Sequence, residues 1–325
     1  MDFREIKEYL SGPMAEVAAL AEEVLQSDIE LLDATNRTLL SQGGKRLRPM
    51  LSLLAAGACG GINVDSVRYA AASELMHNAT LLHDDVVDGA TLRRGLPTVM
   101  SLLSGPASVL LGDYWLVKAV KCILDASRES ERVIRLFAKT LSDLAEGELL
   151  QMHKSSRADT SREDYFRIIH SKTASLFEAA VLSGAISAGA PEEWTAALAA
   201  YARNLGLAFQ VKDDILDYAG DDAVGKPVGI DLRERKVTLP LLCALEIVSP
   251  EKAAEVRGWV AGIDSDPAME DRVRAFVMDH SGVELASREM DRLLDYAVSA
   301  LDELPSSAEK SYLAELARFV GERTF

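Results

Sequence analysis

Strand-forming alternation, basic charge in excess and paired cysteines are what this 325-residue sequence has least of. Runs in which Val, Ile, Thr or Tyr alternate with polar residues are nearly missing, which excludes a sandwich or a barrel. Lysine and arginine number 35 against 51 aspartates and glutamates, a net charge of −16. A general nucleic-acid binder needs a basic surface to neutralise phosphates, so that class is set aside. The three cysteines, Cys59, Cys122 and Cys243, lie far apart in apolar surroundings with no CxxC spacing. They read as buried thiols of a reducing compartment, not as a metal knot or a disulfide framework. The first residues, Met1-Asp2-Phe3-Arg4-Glu5, lack the basic start and apolar centre of a signal peptide, so a cytoplasmic location is expected. The longest charge-free run, Gly95 to Gly112, is broken by Pro97 and Gly105-Pro106, and no membrane segment is expected.

What the chain does have is apolar residues spaced three and four apart almost throughout, with 48% hydrophobic content to build a core. This predicts an all-α protein. Helices are expected near residues 13–36, 46–58, 65–88, 107–125, 129–153, 162–188, 191–219, 237–247, 251–263, 283–303 and 306–322, divided by Gly, Pro and Ser clusters. No linker composition and no fixed repeat appears, so residues 1–325 are read as a single domain.

Two acidic words stand out. "HDDVVD" ends an apolar run and carries Asp84, Asp85 and Asp88; "KDDILD" carries Asp213, Asp214 and Asp217. On a helix, Asp84 and Asp88 lie one turn apart on the same face, as do Asp213 and Asp217. An isolated DDxxD is most often a solvated helix end. Two copies behind apolar helices need something positive to neutralise them. Carboxylate oxygens suit a hard cation such as Mg²⁺, which keeps waters and shares its sphere with substrate phosphate.

Basic partners for such a phosphate are present. "QGGKRLRP", Gln42 to Pro49, places Lys45, Arg46 and Arg48 at a helix start whose first turn holds Pro49, a natural anion cradle. Arg93-Arg94 follow the first acidic word, and Lys172-Thr173, Gln210, Lys226 and Lys236 accompany the second. His77, two turns before Asp84, could donate to phosphate, although a lone histidine is more often ordinary core.

The ordered set "GGKRLRP", "ELMHNATLLHDDVVDGATLRRG", "EGELLQ", "HSKTASLF", "FQVKDDILDY" and "GKPVGIDLRERKVTLP" resembles the trans-type polyprenyl diphosphate synthases over most of the chain. The resemblance implies a bundle of antiparallel helices around a deep central cavity, the isoprenoid synthase fold, in a homodimer, with the two acidic words facing each other. It implies that Asp84, Asp88 and Asp213 bind metal, about three Mg²⁺ per active site with Mn²⁺ as a substitute, and that Asp85, Asp214 and Asp217 support them. Lys172 is counted with these aspartates as catalytic. Arg93, Lys172, Thr173, Gln210 and Lys226 resemble the site for an allylic diphosphate; Lys45, Arg48, His77 and Arg94 resemble the site for isopentenyl diphosphate. Lys236 matches a further basic position, but Arg235 stands where the family often has glycine, which leaves the reach of Lys236 open.

The metal-bound diphosphate would leave, the double bond of isopentenyl diphosphate would attack the allylic cation, and a proton would be lost, with no protein nucleophile required. Short-chain members often place aromatics just before the first acidic word. Here Met76, Ala79 and Thr80 occupy that helix, and small Ala79 points to a deep cavity and a product of about C30 to C50, a quinone side-chain precursor. Phe137 is a second candidate for the cavity floor. Rival readings are a short-chain (C15/C20) synthase, a terpene cyclase, which typically replaces the second DDxxD and needs no second diphosphate cradle, and a non-catalytic partner subunit, which would lose aspartates.

Overall fold

The computed structural model describes residues 3–42, 44–93, 95–219 and 229–323. In chain order the elements are α1 (Phe3–Tyr9), α2 (Ser11–Leu25), α3 (Glu30–Ser41), α4 (Leu47–Cys59), α5 (Val64–Val87), β1 (Leu92–Arg93), β2 (Leu96–Pro97), α6 (Val99–Leu102), α7 (Gly105–Leu124), α8 (Ser130–Arg157) and α9 (Arg162–Ile169). A π-turn (His170–Ala174) leads into α10 (Ser175–Ser187), then α11 (Glu192–Ala219), α12 (Ile230–Arg233), α13 (Leu239–Glu246), α14 (Pro250–Gly262), α15 (Ala268–Asp279), α16 (Gly282–Ala300) and α17 (Ala308–Glu322). The all-α expectation holds: the strands among the described residues are one antiparallel pair of two residues each. No helix among the described residues is long and apolar enough to cross a membrane.

The fold divides into two compact units. One groups Met1–Ala138, Ala179–Leu198 and Glu303–Leu313; the other groups Lys139–Glu178, Ala199–Asp302 and Ala314–Phe325.

In the first unit α5 is central and packs on α2, α4 and α7. A capping box starts it: the Asn63 side chain accepts from the backbone N–H groups of Asp65 and Ser66, and Ser66 Oγ accepts from Asn63 N, satisfying donors that a helix start otherwise leaves open. Asp65 in turn accepts from Ser127 N and Oγ at 2.9 and 2.8 Å. The single helix expected over 13–36 is two helices. Asn36, buried, donates through Nδ2 to the Leu25 carbonyl at 2.8 Å and accepts from Trp115 Nε1 at 2.8 Å. That side chain satisfies an orphan carbonyl at the end of α2 and fixes the break.

The second unit closes a core of Tyr165, Val211, Ile215, Tyr218, Leu239 and Val277 with many smaller neighbours. α13 lies against α16, and α14 against α15. α15 lies outside the expected helices; its buried residues are only Val273, Phe276 and Val277, within a charged stretch.

Candidate active site

The first acidic word ends α5. Asp84 is half-buried, and Asp88 is exposed at the C-cap. Gly89, with φ +62°, stops the helix there; its N–H donates to Val86 O and the Ala90 N–H to Asp85 O, the paired bonds of a left-handed C-terminal cap. The chain reverses through β1 and β2, bringing Arg93 back onto the helix it has just left. Arg93 Nε donates to Asp85 Oδ1 at 2.7 Å, with the Asp85 side chain 6% exposed. Asp85 thus faces its own arginine. Both line a cavity of about 90 Å³ together with Gln42, Asn78, Leu81 and Thr98. Arg94 lies outside the described residues.

Lys45 and Arg48 stand half-buried at the start of α4, with Arg46 as a left-handed N-cap (φ 47°) and Pro49 in the first turn. The helix start expected near residue 46 is present, with α4 beginning at Leu47. His77 and Thr80 are half-buried on α5, whereas Ala79, Met76 and Phe137 have no accessible surface.

In the second unit, Lys172 and Thr173 sit on the π-turn between α9 and α10. Such a wide turn inserts one residue into a helix and re-aims the side chains around it, and it recurs at functional sites. Two glycines make room for it. A Cβ on Gly147 of α8 would lie 2.6 Å from Ser171 Cβ, and one on Gly206 of α11 would lie 2.5 Å from Ala174 Cα. Lys172 forms an ion pair with Glu148 of α8. Thr173 Oγ1 donates to Gln210 Oε1 at 2.8 Å, and Gln210 Nε2 donates to Asp214 Oδ1 at 3.0 Å. Tyr165 Oη donates to Asp214 Oδ2 at 2.6 Å.

Burial, and then the charge of Asp231, push the Asp214 carboxyl well above the usual carboxylate range, against the pull of these two donors. Burial likewise pushes the Tyr165 hydroxyl well up, so it stays a donor. Asp217 accepts from the backbone N–H groups of Ile230 and Asp231 at 3.1 and 3.2 Å, capping α12; burial raises its pKa in spite of them. Asp231 itself is pushed up to about 6, chiefly by burial.

Arg235 adopts φ +54°, the conformation glycine takes most readily. Its N–H donates to Leu232 O and the Lys236 N–H to Asp231 O, and its side chain is tethered to Asp264 at 3.1 Å. The unusual residue therefore keeps the turn a glycine would make, at a cost on the order of 1 kcal/mol. Lys236 bends back to Glu234 and, at 3.8 Å, to Asp231. Lys172, Gln210, Asp214, Asp231, Lys236 and Gln151 share the wall of one cavity of about 100 Å³. Lys226 lies outside the described residues.

Four residues without an assigned role belong to these networks: Tyr165, Glu148, Asp231 and Arg323. Glu148 and Asp231 stand inside motif fragments, so a signal existed. Tyr165 reads as core, and Arg323 lies beyond every motif. Arg323 Nη2 meets Asp213 Oδ1 at 2.9 Å.

Among the described residues no three His, Cys, Asp or Glu side chains stand close enough to hold a metal unaided. Carboxylate pairs that leave most of the sphere to water and phosphate oxygens are the donor set Mg²⁺ favours, so the residues fit that ion.

Comparison with known proteins agrees with this chemistry. Residues 29–278 match the family model described as polyprenyl synthetase. Octaprenyl diphosphate synthase of Escherichia coli K12 is 38% identical over 325 residues, with 99% of each chain covered. A crystal structure of a decaprenyl diphosphate synthase from Rhodobacter capsulatus is 36% identical with a TM-score of 0.92, covering 99% of each chain. Another, of a polyprenyl synthase from Caulobacter crescentus CB15 complexed with calcium and isoprenyl diphosphate, is 36% identical with a TM-score of 0.91, covering 100% of this chain and 98% of that one. With its all-α isoprenoid synthase fold and a match over most of its length, the chain belongs to the polyprenyl synthetase family, the trans-type polyprenyl diphosphate synthases, and is a prenyltransferase.

Proposed function

We propose that the chain joins isopentenyl diphosphate head-to-tail to an allylic diphosphate and releases diphosphate, giving an all-trans product of about C30 to C50 for a quinone side chain. The observation that carries this reading is the hydrogen-bond chain from Thr173 through Gln210 to Asp214, beside Lys172 on one cavity wall. A cation and a polar relay presented together suit a diphosphate oxygen. Asp84, Asp88 and Asp213 are the residues that would hold Mg²⁺, about three ions per site, or Mn²⁺. When bound, the metal supplies Lewis-acid withdrawal of electrons from the leaving diphosphate; that the Caulobacter crescentus relative is complexed with calcium and isoprenyl diphosphate supports a hard cation in this reaction.

The chain's own side chains do the rest. Arg93, beside Asp85, Lys172, beside Glu148, and Lys226 supply the positive charge for the allylic diphosphate, which Thr173 and Gln210 hydrogen-bond. Lys45, Arg48, His77 and Arg94 hold isopentenyl diphosphate. As the allylic C–O bond breaks and the new C–C bond forms, one proton passes to the departing diphosphate. Apolar walls keep water from the cation.

The names of the octaprenyl and decaprenyl relatives, and small Ala79 before the acidic word, support a long product. A homodimer accords with α7, whose Leu110, Val117 and Leu124 are exposed at seven-residue spacing, an apolar row that a soluble surface seldom leaves open. Three free, buried cysteines accord with a cytoplasmic setting. Protein mixed with Mg²⁺, labelled isopentenyl diphosphate and a short allylic diphosphate should release diphosphate and give chains of this length, shortened by Ala79→Phe. No elongated product would overturn the reading, and an unchanged length profile in the variant would remove the Ala79 assignment.

A further inference from the structure

Asp213, the half-buried first member of the second acidic word, is engaged by a residue that follows the last helix. Arg323 follows α17 directly. Its side chain is 4% exposed, and Nη2 lies 2.9 Å from Asp213 Oδ1. The same nitrogen donates to the Phe209 carbonyl at 2.7 Å, and the guanidinium stacks 3.9 Å above the Phe209 ring. Phe209 stands one turn before Asp213 on α11, so a single arginine grips that helix at three points. Its backbone N–H closes the last turn of α17 on Phe319 O at 3.1 Å. Among the described residues its Nε has no hydrogen-bond partner. Its charge also reaches Lys212, whose ammonium is held below the ordinary lysine value by burial first and by Arg323 second.

A guanidinium at this distance and a divalent cation on the same carboxylate repel each other. Buried charges are screened far less than exposed ones. The repulsion outweighs what the arginine gains the metal by orienting one carboxylate, because that ordering is worth only the freedom of a short side chain.

We propose that Arg323 is a resident counter-ion of Asp213, a positioning residue that neutralises this carboxylate and competes with a divalent cation for it. This rests on the reading of Asp213 as a metal-binding residue. The second acidic word is thereby kept from loading metal by itself, and the cation arrives most favourably with a diphosphate that supplies the missing negative charge. By reciprocity, a cation on Asp213 loosens the grip of Arg323 on α11.

The test is Mn²⁺ titration of the full-length, metal-free protein without diphosphate, followed by electron paramagnetic resonance, with thermal melts to confirm folding. Arg323→Gln is expected to bind Mn²⁺ about three- to tenfold more tightly than the wild type, and Arg323→Lys about as the wild type does. In an Asp213→Asn background, Arg323→Gln should change nothing. Unchanged or weaker binding in folded Arg323→Gln, or equal shifts for the Gln and Lys variants, would overturn the proposal. If Asp213→Asn leaves Mn²⁺ affinity untouched, what fails is the assignment of Asp213 as a ligand. Amide exchange on the wild type decides the matter without any variant: saturating Mn²⁺ should speed exchange over residues 319–323, and unaltered exchange there contradicts the competition.

Discussion

The two acidic words have the same DDxxD spacing and opposite surroundings. In the first, the outer pair Asp84 and Asp88 is half-buried and exposed, and the word's deep member, Asp85, is neutralised by Arg93. In the second, the deep member Asp214 is almost wholly buried, with no salt-bridge cation among the described residues, and is held by the neutral donors Tyr165 and Gln210. Its first member is the one paired with arginine, and its last, Asp217, caps α12. A shared motif therefore does not mean shared electrostatics. In both words the middle aspartate is the buried, protein-facing anchor, and the first is half-buried.

The largest effect that could break this comparison is catalytic. Asp84→Asn removes a charge from the outer face and should lower product formation on the order of 10³-fold with the melting temperature little changed, measured by diphosphate release. A small activity loss would show the outer face is not where the chemistry is.

The next effect lies at Asp231, beside the second word. Its folded pKa is raised to about 6 from an ordinary value of 3.8, so the folded state binds its proton more tightly than the unfolded chain does. The charged form costs stability above about pH 6, and the cost fades as pH falls toward 4. Asp231→Asn should stabilise the metal-free protein by up to about 3 kcal/mol at pH 7.5, with a gain that shrinks at pH 5. Paired thermal melts check this, and a gain that grows on acidification contradicts it.

The anchors themselves should respond differently. Asp85→Asn leaves Arg93 without its counter-charge and should cost about 1–2 kcal/mol, discounted because Arg93 is partly exposed. Asp214→Asn replaces a carboxyl already pushed toward neutrality and should cost less than about 1 kcal/mol. Denaturant unfolding separates them, and equal losses would erase the distinction. Smaller still, Tyr165→Phe removes one donor to Asp214 and should cost about 0.5 kcal/mol, visible as a shifted denaturation midpoint.

Much of this was legible before any coordinates. The three- and four-residue apolar spacing marks the helices, and of the residues in the ordered motifs Lys172, Gln210 and Asp214 line one cavity, with Thr173 hydrogen-bonded to Gln210. What was not legible depends on partners distant in sequence. The break after Leu25 is set by Asn36 and Trp115. The π-turn under Lys172 exists because Gly147 and Gly206, on two other helices, leave it room, and helical periodicity carries no mark of either. Arg235 departs from the family's usual glycine, but its left-handed backbone keeps the turn without one. Arg323 carried no signal at all, because a single arginine after the last helix resembles any solvated end.

The claim that the outer aspartates hold metal while the middle ones hold the protein is tested most directly by Mn²⁺ binding in the presence of diphosphate. Titrations of Asp84→Asn, Asp85→Asn, Asp213→Asn and Asp214→Asn should show the first and third weakened by about tenfold or more and the second and fourth close to wild type. Equal weakening in all four, or weakening confined to Asp85→Asn and Asp214→Asn, would contradict it.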